Sequence, residues 1–147
     1  MPVLNIYLSF EGNCEEAFNF YKSVFGGEFS YIGRFSDMPP QKGVTLSDAD
    51  KNKIMHVSLP ISKETVLMGS DAGGEWSPKV IFGNNFSISV AADSREQADS
   101  FYRQLSADGQ ETMPMQDQFW GDYFGMLKDK FGIHWMITHN PNYKTSG

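Results

Sequence analysis

The chain has 147 residues and carries 18 Asp and Glu against 12 Lys and Arg, a formal net charge of −6. An acidic surface repels a phosphate backbone unless basic residues cluster, and the twelve here are scattered, so we expect no nucleic-acid partner. Cys14 is the single cysteine, which excludes an intrachain disulfide and favours a reducing compartment. The start lacks the character of a secretory signal, and no stretch reaches the roughly 18 apolar residues that span a bilayer. We therefore expect a cytoplasmic protein without a membrane partner.

In the first half, a strand-like segment at Leu4 to Phe10 leads into an amphipathic helix. Asn13 is positioned to cap this helix, with Glu16 three residues on, and Gly26-Gly27 ends it. The irregular segment Ser36 to Lys53 follows later, and its length fits either a lid or a disordered loop. Around this segment three further strands are predicted, at Glu28 to Phe35, Ile54 to Pro60 and Thr65 to Ser70.

The second half repeats this order of elements. A strand at Phe86 to Ala91 precedes a helix that Ser94 and Gln97 cap with the same spacing, and Asp108-Gly109 ends it. Three more strands are predicted after the helix, at Glu111 to Met115, Tyr123 to Leu127 and Ile133 to Thr138.

A short motif in the two helices indicates an internal duplication. The pattern E-x-A-x-x-F-Y-[KR] begins at Glu15 and again at Glu96. Matching strands flank both copies in the same order, so we predict an α+β fold of two β-α-β-β-β modules within a single domain over residues 1–147. The first module covers residues 1–71, a linker covers 72–84, the second module covers 85–140 and a tail covers 141–147.

Three clusters of sequence, taken in order, resemble one known family. They are YLSFEGNCEEAFNFYKSVFGGE at Tyr7 to Glu28, VLMGSD at Val66 to Asp71 and MPMQDQFWGDYFGMLKDKFGIHWMI at Met113 to Ile137. They are similar to the PhnB-like proteins of the glyoxalase/bleomycin resistance/dioxygenase superfamily, also called the vicinal oxygen chelate superfamily. The resemblance implies curved mixed sheets around a concave pocket. It also implies a homodimer, which the exposed edges of such sheets favour as well.

Proteins of this family also carry the description 3-demethylubiquinone-9 3-methyltransferase, which the residues do not support. A methyl donor bound in the usual nucleotide-type fold needs a Gly-rich turn between a strand and a helix. The candidate stretch Asp71-Ala72-Gly73-Gly74 runs into Pro78 and does not open a helix.

The metal site of the superfamily is expected to be missing. Superfamily enzymes hold a divalent ion with four inward side chains, and by this resemblance the matching positions are Asn5, Met68, Asn85 and Met136. Two amides and two thioethers supply no carboxylate and no imidazole. We therefore predict no metal and no cofactor at these positions.

Histidine leaves an alternative open. His56 and His134 lie on strands that should face the pocket, and Glu11 or Asp122 could complete a divalent metal site rebuilt around them. A strand histidine more often bonds a neighbour or takes a polar place at a pocket rim. His139, past the last predicted strand, is expected to be solvated.

Aromatic, thioether and polar side chains on these strands are typical of a pocket for a small organic molecule. The alternative for the aromatic rings is a place in the core, which we predict for Trp135. No catalytic residue is assigned, and Cys14 is interpreted as a small residue at a helix start, although the helix dipole there favours a lowered thiol pKa. The side chains predicted to line the pocket are Asn5, Tyr7, His56, Met68, Asn85, Trp120, Tyr123, His134 and Met136.

Two functions from different classes follow from this sequence. The first is a PhnB-like protein that binds or sequesters a small apolar or cationic organic molecule without the superfamily metal. The alternative is a metal-dependent enzyme, a lyase, isomerase, dioxygenase or thiol transferase, acting through the rebuilt site.

Overall fold

The computed structural model describes residues 2–39, 46–73 and 78–142. The described chain forms two compact units, which meet in sequence between Ile81 and Phe82, inside the predicted linker over 72–84. The first unit contains β1 (Ile6–Phe10), α1 (Cys14–Phe25), β2 (Tyr31–Arg34), α2 (Asp48–Lys51), β3 (Ile54–Pro60) and β4 (Val66–Asp71). The second contains β5 (Ile88–Ala91), α3 (Arg95–Ser106), β6 (Gln110–Asp117), β7 (Tyr123–Lys128) and β8 (His134–His139).

Each unit has one four-stranded mixed sheet. The strand order is β1-β4-β3-β2 in the first sheet and β5-β8-β7-β6 in the second. In both sheets the first strand of the unit runs parallel to the last, while the other neighbours are antiparallel. The predicted α+β fold with a repeated β-α-β-β-β order is confirmed.

Helix α1 packs its apolar stripe against one face of the first sheet. Phe18 and Tyr21 are fully buried, and the Phe18 ring meets Phe10 of β1 edge to face at 6.3 Å between ring centroids. A Cβ atom at Gly69 of β4 would lie 2.6 Å from the Phe18 ring, so only glycine allows the helix to approach this closely.

The second unit packs α3 against its sheet in the same way. The Tyr102 hydroxyl donates hydrogen bonds to the carbonyl oxygens of Met113 and Met126, which joins the helix to two strands. Trp135 is 1% exposed, and its indole N–H donates to the buried Asp129 carboxylate at 2.9 Å. The prediction that Trp135 belongs to the core is confirmed.

The two helices begin differently, contrary to expectation. At α3, Ser94 accepts a hydrogen bond from the backbone N–H of Gln97, as predicted. At α1, the Asn13 side chain caps no N–H group of the described helix. The Asp71 carboxylate takes its place, accepting the N–H groups of Gly12 at 2.8 Å and Cys14 at 3.0 Å. The pairing of β1 with β4 brings this carboxylate to the helix start, which local sequence spacing does not reveal.

Several element boundaries also differ from the predicted ones. β1 and β5 each begin two residues later than expected, and β6 is longer at both ends. The segment considered as a lid, 36–53, contains the end of a short 3₁₀ turn and α2, but residues 40–45 lie outside the described part, as do Gly74 and residues 143–147. None of the helices in the described ranges has the length and apolar character needed to cross a bilayer.

Candidate functional site

The face of the first sheet that points away from α1 carries a row of side chains across all four strands. Strand pairing sets Tyr7 of β1 beside Met68 of β4, Met68 beside Ser58 of β3, and Ser58 beside Tyr31 of β2. His56 lies two residues before Ser58 on β3, and side chains two apart on a strand share a face. We call these five residues the first open face.

Hydrogen bonds connect three members of the first open face. The Tyr7 hydroxyl lies 3.2 Å from Nδ1 of His56, and Nε2 of the same ring lies 2.9 Å from the Ser58 hydroxyl. Both imidazole nitrogens therefore have partners, which holds the ring orientation. These hydrogen bonds run from the nearly buried Ser58 to Tyr7, which is 48% exposed.

The aromatic rings of the first open face lie next to one another. The Tyr7 and His56 rings stack with centroids 5.6 Å apart and planes inclined by 26°. The Tyr31 ring lies on the other side of His56, at 5.8 Å between centroids and 39° between planes. Tyr31 is also 48% exposed, so this surface presents aromatic rings to solvent.

The structure brings together Tyr7, His56 and Met68 of the predicted set and adds Tyr31 and Ser58, which the sequence reasoning missed. Both missed residues lie on predicted strands. The spacing of Ser58 from His56 was a usable signal, because residues two apart on a strand point the same way.

Asn5 has a different place from the one expected. It precedes β1, and its side-chain oxygen accepts the backbone N–H of Val66 at 3.0 Å. The residue opposite Met68 in the strand pairing is Tyr7. A phenol thus stands where the resemblance suggested an amide.

The corresponding face of the second sheet is rich in thioethers. Met136 of β8 pairs with Ser89 of β5 and Met126 of β7, and His134 lies two residues before Met136. Asn85 is exposed and lies three residues before β5, so Ser89 occupies the position predicted for it. These four strand residues define the second open face: Ser89, Met126, His134 and Met136.

The two aromatic residues predicted for the second half take different positions. Trp120 lies in the turn before β7, is 53% exposed and donates its indole N–H to Asp122 at 2.8 Å. Its ring centroid is 6.4 Å from that of Phe124, which lies two residues before Met126 and so points to the same side of the sheet.

Tyr123 points to the helix side of its sheet and away from the second open face. Its hydroxyl donates to the Asp99 carboxylate on α3, and the Arg95 guanidinium lies 3.8 Å from the ring centroid. The hydrogen bond to Asp99, followed by desolvation, raises the pKa of Tyr123. The expected position of Tyr123 is taken by Phe124, because neighbouring strand residues face opposite ways.

The donor atoms do not fit a superfamily metal centre. In the described ranges, no three His, Cys, Asp or Glu side chains are grouped so as to hold an ion. Glu11 accepts the backbone N–H of Val80, and Asp122 accepts from Trp120 and Asn140. Both carboxylates already accept hydrogen bonds within the fold, so the rebuilt site lacks support.

Two other titratable side chains are engaged in the fold. His139 is the last residue of β8, and its Nδ1 lies 3.0 Å from the Ala92 carbonyl oxygen, so it is half-buried where we expected a solvated ring. Cys14 is fully buried. Burial first, and then the charges of Asp71 and Glu15, raise the pKa of the Cys14 thiol far above its ordinary value. The thiol therefore stays protonated, where the helix dipole alone favoured a lowered pKa.

Comparison with known proteins identifies the family to which the chain is similar. Residues 3–138 match the family model described as 3-demethylubiquinone-9 3-methyltransferase. Protein YjdN of Escherichia coli (strain K12) is 31% identical over 144 residues, covering 94% of this chain and 95% of that protein.

Solved structures show the same relationship. Protein PA1353 from Pseudomonas aeruginosa has 34% identity and a TM-score of 0.81, with 95% of this chain and 98% of that chain covered. A Bacillus cereus structure described as a putative 3-demethylubiquinone-9 3-methyltransferase, PhnB protein, has 28% identity and a TM-score of 0.72, covering 92% and 98%. More distant structures, described as a glyoxalase-related enzyme and a glyoxalase/bleomycin resistance protein, share the fold at 16% and 18% identity. The chain therefore belongs to the 3-demethylubiquinone-9 3-methyltransferase family, as a PhnB-like member of the glyoxalase/bleomycin resistance, or vicinal oxygen chelate, superfamily.

Proposed function

We propose that this protein binds a small organic molecule on the first open face and needs no metal ion to do so. The observation that carries the proposal is the hydrogen-bonded chain of Tyr7, His56 and Ser58, in which the imidazole also contacts the half-exposed phenol rings of Tyr7 and Tyr31. Binding sites for small molecules combine apolar and aromatic walls with a few placed polar groups, and this face has both.

A purely structural role explains the first open face poorly. The core of this unit lies on the other face of the sheet, where Leu8, Val57 and Leu67 are buried beside α1. Tyr7 and Tyr31, by contrast, are each about half exposed to water. Aromatic rings kept exposed and fixed by hydrogen bonds favour contact with a ligand.

The metal-dependent alternative has weaker support. His56 already has partners at both ring nitrogens, and Met68 and Ser58 beside it are poor ligands for the hard divalent ions of oxygen-rich sites. The carboxylate of the same unit that was considered as a further ligand, Glu11, bonds to Val80.

Methyl transfer with a nucleotide-type donor also has weak support in these residues. Such a site would use free N–H groups where a strand turns into a helix. After β1, the N–H groups of Gly12 and Cys14 are occupied by the Asp71 carboxylate. After β5, Ser94 caps the helix.

The proposal is tested by screening a library of small organic molecules by ligand-observed NMR with protein treated with a chelator, its metal content checked by elemental analysis. We expect ligands to bind the metal-free protein. Tyr7→Ala should weaken their binding about tenfold, because it removes one wall and one end of the hydrogen-bonded chain.

Two histidine variants supply the matched comparison. His56→Gln should weaken the same ligands, whereas His139→Gln, which alters a ring bonded to the Ala92 carbonyl, should leave affinity within twofold. Ligand binding that appears only after a divalent metal is added would favour the enzyme alternative. Equal effects of the two histidine variants would contradict the assignment of the site.

A further inference from the structure

The rings of the first open face lie along the sheet and do not stand upright from it. The Tyr7 side chain starts on β1 and reaches past β4 to bond His56 on β3. A Cβ atom at Gly33 would lie 2.5 Å from the Tyr31 hydroxyl oxygen, so the Tyr31 phenol lies directly over this glycine. Gly33 is also the strand partner of His56. Because Gly33 has no side chain, the Tyr31 ring can occupy the space over it, next to the imidazole.

The result is a surface of three neighbouring rings, with His56 5.6 Å from Tyr7 and 5.8 Å from Tyr31 between ring centroids. The planes of Tyr7 and Tyr31 are inclined to that of His56 by 26° and 39°. A surface of rings in shallow inclination favours a flat, conjugated partner, because offset stacking requires a second π face. A saturated ring of the same size buries similar area but gains no stacking.

The hydrogen-bonded chain adds a second criterion, which concerns polarity. A neutral imidazole donates from one nitrogen and accepts at the other, and hydroxyl groups can do either. The hydrogen bonds that connect Ser58, His56 and Tyr7 can therefore all point in one direction or all in the other. When the imidazole donates to Tyr7, the Tyr7 hydroxyl proton is free to donate to a ligand. When Tyr7 donates to the imidazole, its oxygen is free to accept a hydrogen bond from the ligand. A ligand hydroxyl matches both states, since it also donates and accepts.

The lack of charged groups on the first open face also favours an uncharged ligand. Its five members, Tyr7, Tyr31, His56, Ser58 and Met68, include no carboxylate, guanidinium or ammonium group. A charged ligand group would lose hydration here without gaining an opposite charge. An uncharged hydroxyl loses less and finds a partner in Tyr7.

From these observations we infer that the first open face selects a planar aromatic ring that carries a neutral hydroxyl group, with the ring over Tyr31 and His56 and the hydroxyl at Tyr7. This inference rests on the proposed function and narrows it to one class of ligand.

The test compares three probes of similar size by protein NMR titration, following the tyrosine ring signals of Tyr7 and Tyr31. 2-Naphthol has the ring and the hydroxyl, decahydro-2-naphthol lacks the aromatic ring, and 2-methoxynaphthalene cannot donate a hydrogen bond. We expect 2-naphthol to bind at least about tenfold more tightly than the saturated alcohol and several-fold more tightly than the ether.

Single substitutions test the requirement for an aromatic ring and the requirement for a hydroxyl group separately. The three atoms nearest to a Cβ at Gly33 all belong to Tyr31, so Gly33→Ala should displace that ring and weaken both aromatic probes about equally, by roughly five- to tenfold. Tyr7→Phe keeps the ring and removes the hydroxyl, so it should abolish the preference for 2-naphthol over its ether. Tyr123→Phe removes a hydroxyl on the helix side of the other sheet and serves as the unchanged control.

Three results would overturn the inference. Equal affinity for 2-naphthol and the saturated alcohol, with the same tyrosine signals shifted, would remove the aromatic criterion while leaving small-molecule binding at this face intact. Tyrosine signals that shift with protein concentration but not with any probe would mean that a second copy of the chain covers the face. If neither these probes nor the library perturbed the face, both the inference and the proposed function would fail.

Discussion

At the scale of single residues, Asp71 shows how one side chain can organise three segments. Its buried carboxylate accepts backbone N–H groups from Gly12 and Cys14 at the start of α1, and from Ile54 at 2.9 Å at the start of β3. A carboxylate with several N–H donors is a strong acceptor, and removing it leaves those donors buried without a partner.

Asp71→Ala should therefore lower the free energy of unfolding by about 3 kcal/mol, as measured by urea denaturation. Asp48→Ala is the matched control, because the Asp48 side chain is fully exposed on α2, and it should leave the denaturation midpoint unchanged. A midpoint for Asp71→Ala that matches the control would show that this carboxylate does not hold the helix start.

Cys14 provides a second prediction at this scale. Its thiol is fully buried and its pKa is raised, so the folded protein should not react with a disulfide reagent such as Ellman's reagent at pH 7 to 8. In guanidinium chloride, the unfolded protein should react at once with one equivalent of the reagent. Rapid reaction of the folded protein would contradict the burial and the raised pKa of this thiol.

At the scale of elements, the two long helices have the same length and matching motifs but different caps. α3 uses Ser94, whose hydroxyl accepts the Gln97 N–H at 3.0 Å. α1 uses Asp71 from a strand, and the Asn13 side chain is not a cap among the described contacts. Duplication of the module thus preserved the helix but not the way it begins.

Replacing each candidate cap by alanine should change the stability of the protein by different amounts for the two helices. Ser94→Ala should cost about 1 kcal/mol of stability, since it removes a capping hydrogen bond. Asn13→Ala should change stability by less than about 0.5 kcal/mol. Urea denaturation of both variants beside the unmodified protein measures the difference, and a larger loss for Asn13→Ala would contradict the assignment of caps.

At the scale of the whole molecule, each sheet leaves an edge strand at both ends of its strand order, β1 and β2 in the first unit and β5 and β6 in the second. Edge strands carry unpaired backbone groups that a second chain can cover. This supports the expectation of a homodimer, which also follows from the resemblance to the family.

Sedimentation velocity tests this expectation. At micromolar concentration we expect a species of twice the chain mass, persisting on tenfold dilution if the interface is of the size usual for stable dimers. A monomer over the whole concentration range would contradict the expected homodimer.

The sequence by itself determined the order and type of the elements, the duplication and the burial of Trp135. These properties depend on local periodicity, on capping residues and on turns, which are read within a few residues. It also pointed to Tyr7, His56 and Met68, because their strands and their alternation could be recognised from the same local pattern.

Only the tertiary structure decided which residues meet. Strand register set Tyr7 opposite Met68 where Asn5 was expected, and a shift of one position put Phe124 on the face predicted for Tyr123. Side chains alternate between faces at every residue, so an error of one position in a strand reverses the inferred surface. The Asp71 cap depends on a contact across 57 positions of the chain, and such distant pairings are fixed by packing and not by local sequence.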